Sequence, residues 1–331
     1  MNIHFHRAVP ASYFGMVLGL VGLGSAWRAA TALWGFPAAI GESVMAIGVL
    51  VWATVTIAYL GKWLFAREDA LDEAQHAIQC CFIGLFPAST SLMGLVLAPY
   101  AHQVAVTVWV VGAGGQMAFG VFRSGGMWRG GRDINATTPV LFLPTVAGNL
   151  ISAIVAGVLG FPSWGMLFFG IGFFNWIVME SVILMRLWMG PPLPVPLRPT
   201  LGIQLAPPVV ATVAWLANTH GLPDLFVQAM WGYGLFQLLM LARLLPWVAK
   251  QPFAPSYWAF SFGVTAIATG ALQMTLRGSQ GAIPQLAPAI FILANGTIAV
   301  LVIGTVIRLL QGRLLPPPAA TTPLAGTATS H

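Results

Sequence analysis

The chain has 331 residues, of which 58% are hydrophobic and only 7% charged, and its 14 Lys and Arg against 8 Asp and Glu give a net charge of +6 at pH 7. A soluble domain typically carries about 25% charged residues, so this composition, with a mean hydropathy of +0.83, excludes an ordinary soluble domain and indicates an integral membrane protein. We expect the positive charge to reflect membrane topology and contact with lipid headgroups rather than a nucleic-acid partner.

Ten apolar stretches are long enough to cross a bilayer, since a helical span needs about 20 mainly apolar residues. In chain order they are predicted at 11–34, 38–64, 77–98, 102–124, 138–160, 163–187, 201–218, 222–245, 255–276 and 284–311. Only short loops separate them, which predicts one ten-helix transmembrane domain over 11–311. Residues 1–10 are expected to form the N-terminus and residues 312–331, rich in Pro, Ala and Thr, a disordered tail.

The positive residues alternate with the predicted spans. If the N-terminus is cytoplasmic, twelve of the fourteen Lys and Arg residues fall on the inner side, and only Arg28 and Arg277 lie outside. This asymmetry follows the positive-inside rule and predicts that both termini are cytoplasmic. The two outward cations could attract anions to an outer mouth, or could anchor the helices at the interface by snorkelling.

Each odd-numbered segment contains an apolar residue followed by a glycine or a proline. The five dipeptides are Phe14-Gly15, Phe86-Pro87, Leu143-Pro144, Ala206-Pro207 and Phe262-Gly263. Their intervals of 72, 57, 63 and 56 residues each accommodate two spans. Proline kinks a helix, and in lipid the freed backbone groups need protein or water partners, so such kinks belong in a protein interior or along a cavity.

The even-numbered segments are more uniformly apolar and suit an outer shell. We therefore predict an all-α integral membrane fold of five helical hairpins in quasi-fivefold order, in which an inner ring of five kinked helices lines a pore. The alternative is that these residues merely reflect the general frequency of proline and glycine in membrane helices and of small residues at helix contacts.

Ionisable residues are nearly absent from the centres of the odd-numbered segments. Proton- and sodium-coupled carriers usually place such groups in their path, so the pattern favours a channel over a coupled carrier. Among the even-numbered segments, the sixth contains an ionisable residue deep within it, Glu180. It is expected to pair with a neighbouring side chain or backbone group, with proton relay as the alternative.

Nothing in the sequence indicates an enzyme. No H-E-x-x-H zinc motif or phosphate-binding loop is present, and the acidic run Asp69, Asp72 and Glu73 suits a solvated turn better than a metal site. The adjacent Cys80 and Cys81 point in different directions on a helix and suit core packing. We expect no catalytic residue, cofactor or metal.

Six short motifs occur in the order found in a known family. They are PASYFGMVLG (10–19), LFPAST (85–90), LFLPTVA (141–147), LGIQLAP (201–207), GYGLFQLL (232–239) and WAFSFGV (258–264). In these motifs the chain resembles the family of the bacterial tellurite-resistance membrane proteins (TehA), the plant slow-type anion channels and the fungal malate permeases, or C4-dicarboxylate transporters.

The resemblance implies a homotrimer in the bacterial inner membrane, with membrane lipid around it and a separate pore for small monovalent inorganic anions in each subunit. It also implies that a phenylalanine plugs the pore; by motif this is Phe262, with Phe260 as the rival by composition. We expect backbone freedom at Gly263 to help hold the ring across the pore. The alternative function is a secondary carrier for C4-dicarboxylates, tellurite or related oxyanions.

Overall fold

The structure is a computed structural model that describes residues 9–315, and all regular structure in this range is helical. The α-helices are α1 (Phe14–Trp34), α2 (Ala38–Phe65), α3 (Arg67–Gln75), α4 (Leu85–Leu97), α5 (His102–Met127), α6 (Gly148–Val158), α7 (Pro162–Met189), α8 (Ala206–Asn218), α9 (Leu225–Val248), α10 (Ser261–Leu276) and α11 (Ala282–Leu310). All of these except α3, taken together with the short turns of 3₁₀ or π-helix that precede some of them, are long and apolar enough to cross a membrane. The ten predicted spans are thereby confirmed.

Nine of the spans begin and end within three residues of the predicted boundaries. The seventh begins at Val195 rather than at 201, because the 3₁₀-helix Val195–Leu205 accommodates Pro196 and Pro199, whose rings would interrupt an α-helix. Residues 1–8 of the predicted N-terminus and 316–331 of the predicted tail lie outside the described residues. Within the range, the carbonyl of Leu314 accepts a hydrogen bond from the Tyr13 hydroxyl.

The acidic run after the second span is not a solvated turn. It forms α3, whose first turn carries acidic residues that complement the helix dipole. Glu73 is buried, and its carboxylate lies 3.0 Å from the Lys62 ammonium and accepts a 2.8 Å hydrogen bond from the Ala11 amide. The helix is therefore tied to the second span by an ion pair and to the start of the first span by a hydrogen bond, neither of which the sequence pattern revealed.

The five predicted interruptions coincide with changes of helix type. The 3₁₀-helices Ala11–Tyr13, Gln79–Gly84, Pro139–Phe142, Val195–Leu205 and Pro255–Phe260 open the odd-numbered spans. Each ends directly before the predicted dipeptide or one residue earlier, where an α-helix begins or, at Leu143–Ala147, a turn of π-helix leads into α6. Proline is tolerated in the first turn of a helix, since its missing N–H needs no intrahelical partner there.

The helices form two concentric layers. In the most apolar windows of the odd-numbered spans 67–89% of residues are buried, against 22–33% in the even-numbered spans. We call the helices α1, α4, α6, α8 and α10, with their preceding 3₁₀ turns, the inner ring. Each contacts the next in this order, and α10 contacts α1, so the ring is closed. The remaining spans α2, α5, α7, α9 and α11 are the outer helices, as predicted.

Each outer helix is hydrogen-bonded to the inner span that follows it in the chain, and the last outer helix, α11, is bonded to the first inner helix, α1. The five bonds are Trp52 Nε1 to Thr90 Oγ1 (3.4 Å), Trp109 Nε1 to the Ser152 carbonyl (3.1 Å), Gln204 Nε2 to Glu180 Oε2 (2.8 Å), Trp231 Nε1 to the Ile267 carbonyl (3.0 Å) and Trp27 Nε1 to Asn295 Oδ1 (2.9 Å). Buried N–H donors of this kind need partners, and here those partners join one hairpin to the next.

Candidate functional site

Two cavities lie inside the inner ring, one at each end. The N-side cavity, of about 130 Å³, lies at the N-terminal ends of the inner helices, and the C-side cavity, of about 320 Å³, lies at their C-terminal ends. All five inner spans contribute to the lining of each cavity. The two cavities therefore share the axis of the ring.

Phe262 is the one residue among those described that lines both cavities. It lies in the first turn of α10, and its ring faces Gly22 of α1, where an added Cβ would lie 3.3 Å from Phe262 Cδ2. The absence of a side chain at Gly22 leaves room for the ring. A single apolar side chain thus stands between the two cavities.

Apart from Gly263, the other residues of the predicted dipeptides divide into two groups. Gly15, Leu143, Ala206 and Pro207 line the N-side cavity.

Phe14, Phe86, Pro87 and Pro144 line neither cavity. The fully buried ring of Phe14 lies 5.3 Å from that of Phe86 and 5.6 Å from that of Tyr59, between centroids. The carbonyl of Pro144 accepts a 2.8 Å hydrogen bond from Gln116 of α5, so an outer helix supplies the partner required at this break.

Phe260, the alternative by composition, lines neither cavity. An added Cβ at Gly202, in the 3₁₀ turn before α8, would lie 2.7 Å from the Phe260 ring. This aromatic side chain is therefore packed against a neighbouring helix.

Gly263 does not supply the expected backbone freedom. It lies within the regular helix α10 and is not among the glycines with positive φ. An added Cβ would lie 2.9 Å from Leu205 Cγ and 3.1 Å from the Ala206 amide nitrogen. The glycine is needed because α10 and α8 approach closely here, not because the chain is strained.

Two glycines that sequence reasoning overlooked, Gly19 and Gly22, together with the predicted Gly15, bring α1 against the ninth span. Gly15, Gly19 and Gly22 face Trp258, Ser261 and Thr265 respectively, with added-Cβ distances of 3.8, 2.5 and 2.2 Å. Their spacing of four and three residues places them on one helix face. That spacing is the sequence signal for this contact.

The C-side cavity carries a cation without an acidic partner. Arg277, one residue beyond its span, lines this cavity beside Gln273 and donates a hydrogen bond to the Leu216 carbonyl. Neither of the two ion pairs in residues 9–315 involves it. Burial lowers the pKa of the Arg277 guanidinium, but arginine remains protonated at physiological pH.

Arg28 is placed differently. Its guanidinium forms a bidentate pair with Glu42, with 2.7 and 2.8 Å contacts, and donates to the Leu95 carbonyl at 3.0 Å. The Tyr100 hydroxyl also donates to Glu42, at 2.7 Å, and this hydrogen bond raises the pKa of Tyr100. Arg28 lines neither cavity, and its charge is balanced by Glu42.

The carboxylate of Glu180 is buried among hydrogen-bond donors on its own helix and on neighbouring elements, in agreement with the predicted pairing. It accepts from Tyr233 at 2.6 Å, from Gln204 at 2.8 Å, from Gln237 at 3.1 Å and from Trp176 at 3.3 Å. Its donors are 4 to 57 residues away along the chain, so only the folded chain brings them together.

In residues 9–315 no three His, Cys, Asp or Glu side chains lie close enough to hold a metal ion. Cys80 and Cys81 are buried free thiols, with sulfurs 3.8 Å apart, and the Arg123 guanidinium contacts Cys80. They occupy the first turn of the third span.

These features define a multi-pass membrane protein whose inner helices surround two axial cavities. A family model described as voltage-dependent anion channel (SLAC1) matches residues 8–306, and the chain belongs to this family.

Named relatives agree with the resemblance seen in the motifs. The chain is 34% identical to the tellurite resistance protein TehA homolog of Haemophilus influenzae over 95% of this chain and 94% of that protein. It is 25% identical to the S-type anion channel SLAH3 of Arabidopsis thaliana and 24% identical to the guard cell S-type anion channel SLAC1 of the same plant. These matches cover 78% and 80% of this chain, and 42% and 49% of the plant proteins.

Proposed function

We propose that this chain is an anion channel of the bacterial inner membrane, in which small monovalent anions pass passively along the axis of the inner ring and Phe262 is the gate. The observation that supports this most directly is the position of Phe262 between the two cavities. A bulky apolar side chain at a narrow point excludes water, and such constrictions can gate by dewetting.

Passive permeation is supported by the composition of the inner ring. Its five spans contain no Asp, Glu, Lys or His, and their two arginines, Arg28 and Arg198, line neither cavity. A path without titratable carboxylates or histidines lacks the usual means of coupling transport to protons or sodium.

The selectivity among anions is proposed to follow from the residues that line the two cavities. The cavities are lined mainly by apolar side chains with a few hydroxyl and amide groups, which replace little of an ion's hydration shell. Anions that lose water easily are therefore expected to permeate best. Arg277, uncompensated in the C-side cavity, raises the local anion concentration.

The family relationship supports the rest of the assignment. The chain is proposed to form a homotrimer, with a pore in each subunit, and to contribute to tellurite resistance. By the positive-inside rule both termini and the N-side cavity face the cytoplasm. The alternative is a secondary carrier for C4-dicarboxylates, tellurite or related oxyanions.

The experiment that separates channel from carrier is anion efflux from liposomes containing the Phe262→Ala variant. A channel predicts chloride efflux that rises with the driving force, needs no counter-substrate and is unaffected by a proton gradient. Efflux that saturates and is accelerated by anions on the opposite side would establish the carrier.

A further inference from the structure

Among the described residues, the buried acidic side chain that accepts the most hydrogen bonds is that of Glu180, which lies outside the ring on outer helix α7. The side chain of Glu180 accepts four hydrogen bonds, from Trp176 of the same helix, from Tyr233 and Gln237 of α9, and from Gln204 in the 3₁₀ turn before α8. We call these five residues the Glu180 cluster.

The cluster is saturated with donors. Tyr233 and Gln237 donate hydrogen bonds to Oε1 of Glu180, while Gln204 and Trp176 donate to Oε2. Gln237 also donates to the Tyr233 hydroxyl at 2.8 Å. A buried carboxylate requires such partners, and hydrogen bonds to an ionised acceptor are the stronger ones. The position of Gln204 is therefore firmly held from outside the ring.

Gln204 is flanked by two residues of this 3₁₀ turn that contact the ninth span, to which Phe262 belongs. On one side, Gly202 packs against the ring of Phe260, and on the other, Leu205 packs against Gly263. Phe262 lies between these two contacts in sequence. The segment held by Glu180 is thus one of the surfaces against which the turn bearing Phe262 is packed, the other being α1.

Part of the same segment lines the N-side cavity, through Pro196, Leu197, Thr200 and Ile203. A shift of the 3₁₀ turn would therefore move both the support of the gate and the wall beneath it. The equivalent bonds from other outer helices run from tryptophans or an asparagine, as at Trp109 and Trp231. Only at α7 does a charged side chain make this connection.

We propose that Glu180 is a positioning residue of the gate: through Gln204 it holds the 3₁₀ turn Val195–Leu205 in the place that keeps Phe262 between the two cavities. The inference rests on the proposed role of Phe262. Weakening the anchor destabilises the closed arrangement relative to an open one and shifts the population toward conduction.

The test is the resting anion current, in planar bilayers, of the Glu180→Gln and Gln204→Leu variants. Glu180→Gln replaces an acceptor oxygen with a donor group at similar volume, and Gln204→Leu removes the link to the 3₁₀ turn while leaving Glu180 three donors. Remote side chains that bias such an equilibrium change it by about 2- to 30-fold, and we expect an increase in this range for both. Trp109→Phe, which removes a buried outer-to-inner bond to α6, is the matched control and should leave the current unchanged.

A second readout separates positioning from general destabilisation. In the Phe262→Ala background, Glu180→Gln should produce no further increase, because the gate it supports is already absent. Resting currents equal to wild type in assembled Glu180→Gln and Gln204→Leu protein would overturn the inference, as would an equal increase with and without Phe262. If Phe262→Ala alone conducts and these variants do not, the gate assignment stands and only this inference fails.

Discussion

At the residue scale, Phe262 and Arg277 differ from their apparent equivalents by what surrounds them. Phe14 and Phe86 precede the same kind of break as Phe262, yet their rings pack against each other and against Tyr59, away from both cavities. A dipeptide pattern locates a break along the chain, but it does not determine how each helix is rotated about its axis, and this rotation decides which way the side chain points.

The two arginines that are predicted to lie outward, Arg28 and Arg277, provide a prediction at this scale. Arg277→Gln should lower anion conductance in low salt, because it removes the uncompensated charge of the C-side cavity, and the loss should diminish in high salt, where screening is stronger. Arg28→Gln is the control, since Glu42 balances its charge. The measurement is the current of the Phe262→Ala channel at several salt concentrations. Equal losses in the two variants would contradict the distinction.

At the scale of elements, close contacts through glycine hold the inner ring together. Gly22→Ala should lower the melting temperature, because its Cβ would lie 2.2 Å from Thr265 Oγ1 and overpacking costs about 1–3 kcal/mol. Gly114→Ala on α5 is the control, since nothing lies within 4 Å of its added Cβ. Thermal unfolding in detergent measures both variants, and equal melting temperatures would refute the tight α1–α10 contact.

The short helix α3 provides a second test at this scale. Glu73→Gln should lower the melting temperature clearly, since losing one partner of a buried ion pair costs about 3–5 kcal/mol and leaves the buried Lys62 uncompensated. The exposed Glu68 on the same helix is the matched control, and Glu68→Gln should change stability by about 0.5 kcal/mol or less. If both variants melt like wild type, α3 is not docked through Glu73.

The sequence was sufficient for the ten spans because hydropathy depends on composition alone. It was insufficient for the start of the seventh span, since Pro196 and Pro199 suggested a break although a 3₁₀-helix accommodates them. It also missed α3, whose stabilising partner Lys62 lies in the preceding span. The surroundings of Glu180 were beyond prediction, because Gln204 and Tyr233 reach it only after two successive hairpins have packed together.

At the scale of the whole molecule, five hairpins close into a ring because each inner helix contacts the next and each outer helix is bonded to its neighbour's hairpin. The five interruptions then lie at equivalent positions, and the two cavities share one axis. The proposed orientation is testable with single cysteines in a background without Cys80 and Cys81. A cysteine at Gly130 should be protected from an impermeant reagent in intact cells and one at Ser279 should be labelled. The reverse pattern would invert the topology.

The most direct test of the account is the planar-bilayer current of Phe262→Ala compared with wild type and with Phe86→Ala, whose ring precedes the equivalent break but lines neither cavity. We predict a large increase in current for Phe262→Ala alone, reversing near the chloride equilibrium potential in a chloride gradient. Assembled Phe262→Ala protein that passes no more current than wild type, or a similar increase in Phe86→Ala, would contradict the assignment of Phe262 as the gate.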